Sequence, residues 1–133
     1  MTSVNNFLTF LTNAVFSGET VSCPLCSGTL TNASTLATIT AAEVAGNGYA
    51  RQTAVASAAS YDGTDTRSEV PQLSFTFTAS GGSIVYNTVV IAIGTPSLTY
   101  AVKVESIGET RTIFNGASHT YTYDAATQLG IYA

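Results

Sequence analysis

Two stretches of strict alternation constrain what this chain can fold into. Leu73, Phe75 and Phe77 alternate with Ser74, Thr76 and Thr78, while Leu98, Tyr100, Val102 and Val104 alternate with Thr99, Ala101, Lys103 and Glu105. A period of two puts every second side chain on the same face, so each stretch predicts a half-buried β-strand with one apolar and one polar side. Ile84 to Ile93 is apolar through Val89, Val90, Ile91 and Ile93 with little alternation. That pattern predicts a central strand covered on both faces, or half covered by a neighbouring subunit. Asn115-Gly116 is a two-residue turn signal and predicts a hairpin between Thr110–Phe114 and Ser118–Tyr123. Gly81-Gly82 marks another turn, and Pro71 and Pro96 stand where a strand edge or a strand start tolerates a missing N–H. The reading is of about seven or eight strands, a number that suits a sandwich or jelly roll near this length.

Upstream the period becomes helical. Val4, Phe7, Leu8, Leu11, Ala14 and Val15 recur at helix spacing, Ser3 can cap the first turn, and Gly18 can end the helix in a left-handed conformation. The polar face of this amphipathic segment carries Asn5, Asn6, Thr9, Thr12 and Asn13 and no charge. It packs on its own domain or docks at an interface. The expected fold is mainly β: an antiparallel β-sandwich or jelly-roll-like domain over residues 1–133, led by a short N-terminal amphipathic helix within residues 1–18. No internal repeat and no linker divides the chain.

Composition narrows the partners. Of 133 residues only 9% are charged, four Lys+Arg against eight Asp+Glu, where soluble domains carry about 25%. With 45% hydrophobic residues the chain is not of the disordered type. Four cations and a net charge of −4 are too few to hold a phosphate backbone, so no nucleic acid is expected as partner. No apolar run approaches the ~20 residues that span a bilayer, and no basic segment precedes the N-terminal apolar stretch, so neither membrane nor secretory signal is expected. Thr and Ser take the place of the missing charges. Hydroxyls and methyls cost less to desolvate than ions, which leads to the expectation that other chains cover much of this surface.

Candidate chemistry is sparse. Cys23-Pro24-Leu25-Cys26 has C-x-x-C spacing, but a tetrahedral zinc site needs two more ligands and the one histidine, His119, is far along the chain. No helical pattern follows Cys23 to lower its pKa. The pair reads as two reduced structural thiols, with a local disulfide or a metal shared between subunits as the alternatives. His119, Tyr121 and Tyr123 fall on one strand face, a packing or interface stripe whose tyrosines could alternatively stack on sugar rings. Asp62, Asp65 and Glu69 cluster around Gly63 as a solvated turn rather than a calcium loop. His119 and Asp124 have no G-x-S-x-G serine to orient, Gly46-Asn47-Gly48 lacks the rest of a phosphate loop, and the Asn32-Ala33-Ser34 sequon has no meaning without secretion. Scattered acids and a single histidine give no cleft of titratable groups. No catalytic role, cofactor or metal is expected.

Ala42-Glu43-Val44-Ala45-Gly46-Asn47-Gly48-Tyr49-Ala50-Arg51-Gln52 resembles the "E-V-x-G-x-G-Y-A-R" signature of a family of small tailed-bacteriophage structural proteins. The leading helix, the Phe75-Thr76-Phe77-Thr78-Ala79 strand, Gly108-Glu109-Thr110 and Phe114-Asn115-Gly116 agree with that family loosely along most of the chain. Where the family has a Tyr-Val-Ala-Leu-Phe-like strand, this chain has Cys23 to Leu30 instead. The resemblance implies a virion component made in the host cytoplasm: a capsid decoration (cement) protein on the capsid surface, bound to the major capsid protein or other virion proteins. A tail-fibre or baseplate-associated protein is the runner-up, and a host-surface carbohydrate binder using Tyr121, Tyr123 and Tyr132 is a further alternative. Threefold lattice positions make a homotrimer the expected assembly. The segments from Val4 to Phe16, with Val4, Phe7, Leu8 and Leu11, and from Cys23 to Leu36 are the expected contacts. Within the signature, Gly46 and Gly48 permit a sharp turn that delivers Tyr49 and Arg51 to one face of the following strand. Arg51 is then expected to pair with Glu43 or with backbone carbonyls, because an unpartnered buried guanidinium is prohibitive.

Overall fold

The computed structural model describes residues 18–57, 60–62, 67–69, 72–95, 97–123 and 131–132. The expected helix from Val4 to Phe16, with Val4, Phe7, Leu8 and Leu11, lies outside the described residues, as do Asp65, Pro71, Pro96 and Asp124 and the side chains of Asp62, Glu69 and Tyr132. In chain order the elements are β1 (Thr20–Cys23), β2 (Leu25–Cys26), α1 (Leu36–Ala42), β3 (Gln52–Val55), β4 (Ser60–Asp62), β5 (Arg67–Glu69), β6 (Leu73–Thr78), β7 (Ile84–Ile93), β8 (Tyr100–Ile113), β9 (Ser118–Tyr123) and β10 (Ile131–Tyr132). The protein is mainly β, with antiparallel sheets and little helix.

The chain forms two compact units. One comprises, of the described residues, those within 18–20, 54–74 and 122–132, and in it β4, β5 and β10 make a three-stranded sheet of order β10-β5-β4. The other comprises Val21–Thr53 and Phe75–Tyr121 and holds most of a five-stranded sheet built around β7. In that sheet β1 and β2 pair with β7, as does β8, and β3 follows β1. A separate two-stranded sheet joins β6 to β9.

β7 is the expected central strand. Val89, Val90, Ile91, Ala92 and Ile93 are all buried, which requires cover on both faces. Val90 and Ala92 join Cys26, Leu30, Ile39 of α1 and Val104 of β8 in one apolar cluster, with Ala42 and Leu98 against it. Val89, Ile91 and Ile93 turn to the opposite face by alternation. Helix α1 is capped by Thr35, whose side chain accepts from the Thr38 N–H, and buries Ile39 alone.

β1 and β2 are one strand interrupted by proline. Val21 and Ser22 face Ile93 and Ala92, and Leu25 and Cys26 face Val89 and Thr88, so the register is unchanged across the break. Pro24 has no N–H to give, yet its carbonyl accepts from Val90 N at 3.0 Å. The side chains of Cys23, Leu25 and Cys26 are therefore interior, which corrects the expectation that Cys23 to Leu36 faces a partner: Cys23 to Cys26 is inside, and exposure begins at Ser27.

β6 alternates as expected, with Leu73, Phe75 and Phe77 buried and Ser74, Thr76 and Thr78 exposed. Two other expectations are corrected. Leu98–Glu105 and Thr110–Phe114 are not separate strands: β8 starts at Tyr100 and runs to Ile113, and Leu98 and Thr99 precede it. Its pairing with β7 jumps from Tyr86↔Arg111 to Thr88↔Ser106, a bulge of the intervening residues in which Gly108 takes φ 81°. Nor is there a hairpin across Asn115-Gly116. The turn is present, closed by Ala117 N–H donating to Phe114 O at 2.8 Å, but β9 leaves β8 and pairs with β6. Two short strand pieces around Pro24 and the short β4, β5 and β10 bring the described strands to ten rather than seven or eight.

Candidate functional site

The signature loop is built against an unpaired stretch of the β1–β2 strand. Because Pro24 and Val90 occupy a hydrogen-bonded position, the N–H of Leu25 points away from β7, to the edge that β3 does not reach. That edge is completed by other means. Leu25 O accepts from Val44 N at 3.0 Å, Ser27 N donates to Ala42 O at 2.9 Å, and Cys26 and Glu43 form an isolated antiparallel bridge. Leu25 N donates to the Tyr49 hydroxyl at 3.1 Å.

Glu43 is thus fixed by its own backbone, and three donors converge on its carboxylate. Tyr49 donates its hydroxyl to Oε1 at 2.6 Å, Arg51 Nε donates to Oε1 at 2.9 Å, and Arg51 Nη2 donates to Oε2. The two-point contact is the fork-to-fork arrangement that suits guanidinium and carboxylate. Side-chain exposure is 17% for Arg51 and 14% for Glu43, so the pair is shielded but not sealed. The hydrogen bond to Glu43 raises the Arg51 pKa further. Burial pushes the Tyr49 phenol up, and its bond to Glu43 adds to this. The Tyr49 ring stacks on Phe77 of β6 at 6.0 Å between centroids.

Glu43, Tyr49 and Arg51 are therefore brought together, with Arg51 on Glu43. One local detail differs from expectation: Tyr49 and Arg51 precede β3 rather than lying on it, because the strand begins at Gln52. The turn before them uses positive φ at Gly46, Asn47 and Gly48 (83°, 54° and 79°) and closes with Tyr49 N donating to Gly46 O at 3.0 Å. Arg51 borders two shallow depressions. One, of about 380 Å³, is lined by Glu43, Ala45, Tyr49 and Thr95; the other, of about 480 Å³, by Leu36, Ala37, Thr40, Ala41 and Leu98. The trio directs its polar atoms at one another and at Leu25, which makes it a pin for the strand edge.

A second polar cluster lies under β9. His119 and Tyr121 share a face, as expected from alternation, and both reach the hydroxyl of the fully buried Tyr86: His119 Nδ1 at 2.8 Å and the Tyr121 hydroxyl at 2.5 Å. Both rings meet Tyr86 edge-on. Tyr123, on the same side of β9, is 4% exposed. This corrects the expectation that Tyr121 and Tyr123 stand exposed on the strand: Tyr123 is buried and Tyr121 half-buried, with its hydroxyl on Tyr86. Tyr86 itself was hidden in the apolar run of β7; its one sequence signal was a phenol among aliphatic neighbours.

Cys23 and Cys26 are free, buried thiols. Burial raises the pKa of both, that of Cys26 to about 12 with Glu43 adding to the effect, so neither is set up as a nucleophile. Among the described residues no three His, Cys, Asp or Glu side chains gather as metal ligands, and no helix is long and apolar enough to cross a membrane. Comparison of the chain with protein-family models, with curated proteins and with solved structures finds no match.

Proposed function

We propose that this chain is a virion structural protein of a tailed bacteriophage: a capsid decoration protein that binds the major capsid protein and stabilises the head lattice, with no catalytic role. The observation that supports the reading is the surface. Outward side chains of β6 and β9 are hydroxyls that bond one another across the strands, Thr76 to Thr120 at 2.9 Å and Thr78 to Ser118 at 2.7 Å. Tyr100 and Phe114 stand 66% and 68% exposed. Such a surface loses little when water is removed and gains from apolar burial, as a protein covered by neighbours requires. The resemblance of Glu43 to Arg51 to the phage signature points to the same class, and the trio behaves as a structural pin.

In finer detail, the proposed architecture is a β-sandwich or jelly-roll-like domain led by an amphipathic helix, assembled as a homotrimer. Val4, Phe7, Leu8 and Leu11 form its docking stripe. The test is electron cryo-microscopy of particles carrying the full chain, lacking the gene, or carrying a chain without residues 2–16. Density lost uniformly over the head in the second and third supports both the decoration reading and the docking stripe. Density lost at the tail replaces the reading with a tail-fibre or baseplate protein. Full head occupancy by the shortened chain moves docking to another surface.

A further inference from the structure

The chain contains two Asn-Gly peptides, Asn47-Gly48 and Asn115-Gly116, and the fold brings both to the same short segment, Ala79 to Ser83. From one side, Asn47 Nδ2 donates to Ser83 O at 2.7 Å and Asn47 O accepts from Ser80 N at 2.9 Å. From the other, Asn115 Oδ1 accepts from Gly81 N at 3.1 Å and Gly116 N donates to Ala79 O at 2.8 Å. The fit is tight: a Cβ on Gly82 would stand 2.5 Å from Asn47 Oδ1, and one on Gly48 would stand 2.5 Å from Ser80 Oγ.

We propose that Asn47 is a site of spontaneous deamidation in the folded protein, that Asn115 is protected, and that conversion at Asn47 loosens the Ser83 end of the Ala79–Ser83 segment. In this reaction the backbone nitrogen of the following glycine attacks the side-chain carbonyl carbon of asparagine. The N–Cγ bond forms, the Cγ–Nδ2 bond breaks, ammonia leaves with the amide proton, and water opens the cyclic imide to aspartate or isoaspartate. Glycine favours the attack because it has no side chain to obstruct it, so both peptides share the same intrinsic chemistry.

The fold separates them. The Gly116 N–H is held by Ala79 O, so the nucleophile at Asn115 is engaged, whereas the Gly48 N–H has no hydrogen bond among the described residues. Asn47 is exposed and sits at φ 54°, in the left-handed region that asparagine adopts more readily than most residues. The turn bond from Tyr49 N to Gly46 O and the side-chain bond from Asn47 Nδ2 to Ser83 O are restraints that must open first. The consequences also differ. Aspartate at Asn115 still offers an oxygen to Gly81 N, while aspartate at Asn47 turns a donor into an acceptor facing the carbonyl of Ser83.

The experiment is incubation of the purified full chain in ¹⁸O-labelled water at mildly alkaline pH, folded and in urea, followed by trypsin and tandem mass spectrometry of the peptides that end at Arg51 and begin at Thr112. In urea the two sites should convert at similar rates, and in the folded protein Asn47 should convert several-fold faster than Asn115. Equal folded rates, a faster Asn115, or no conversion at Asn47 overturns the proposal. For the second part, Asn47→Asp should lower the melting temperature by about 5 °C, and Asn115→Asp should leave it nearly unchanged. Equal melting of the two variants overturns the loosening of the segment.

Discussion

Tyr49 uses a single hydroxyl to accept from Leu25 N and donate to Glu43 Oε1, where a strand neighbour would otherwise complete the edge. Tyr49→Phe keeps the ring on Phe77 but leaves a backbone donor and a carboxylate oxygen short of a partner, a loss of about 1–3 kcal/mol. Arg51→Ala should cost about as much or more, because it leaves the half-shielded Glu43 carboxylate without its charge partner. Arg51→Lys keeps the charge without the fork and should fall between wild type and alanine. Urea denaturation of the three variants checks this order, and wild-type stability in Arg51→Ala would show that the pair holds nothing. That Arg51 needs a partner was legible in the sequence, which offered Glu43, eight residues back across a Gly-Asn-Gly turn, or backbone carbonyls; the structure supplies Glu43. The role of Tyr49 toward Leu25 was not, because a backbone N–H left over by Pro24 becomes visible only when the register on β7 is known.

At the scale of elements, alternation was a faithful guide where one face is buried and the other wet, as in β6, and an apolar run where both are covered, as in β7. It failed where pairing is decided at a distance. Asn115-Gly116 specifies a turn, but whether the next strand returns to β8 or crosses to β6 depends on what its inner face meets, here Tyr86. Gly108 looks like a break between two strands because glycine weakens a strand as well as bulging it; in place it allows one long strand to skip residues against β7. Cys23-Pro24-Leu25-Cys26 carries a proline that gives no strand signal, yet Pro24 interrupts the strand without shifting its register. That placement makes a direct prediction. Both thiols are buried, so a thiol reagent at pH 8 should leave the folded protein unmodified and label two cysteines per chain once denaturant is added. Rapid labelling of the folded chain would mean that the β1–β2 strand opens readily.

Among the described residues, scarcity of surface charge means that the response to alkaline pH comes from buried neutral groups. The described pairs on β8, Lys103 with Glu105 at 3.7 Å and Arg111 with Glu109 at 3.8 Å, are too exposed to weigh much. Four neutral groups have pKa values raised chiefly through burial: Cys23, Cys26, Tyr49 and Tyr86. In each, the folded chain keeps a proton that the unfolded chain gives up. The stabilisation is complete below the unfolded value, 9.0 for a thiol and 10.0 for a phenol, and is lost as pH rises from there towards the folded one, about 12 for Cys26. For Cys23 the slope is about 1.4 kcal/mol per pH unit at most. Unfolding free energy measured in urea should therefore be flat from neutral pH to about pH 9 and fall steeply above it, and Cys23→Ala should make that fall shallower although it lowers stability at neutral pH. A stability that held level to pH 11 would mean that the thiols and phenols ionise in the folded chain as easily as in the unfolded one, and that the interior around β7 admits water.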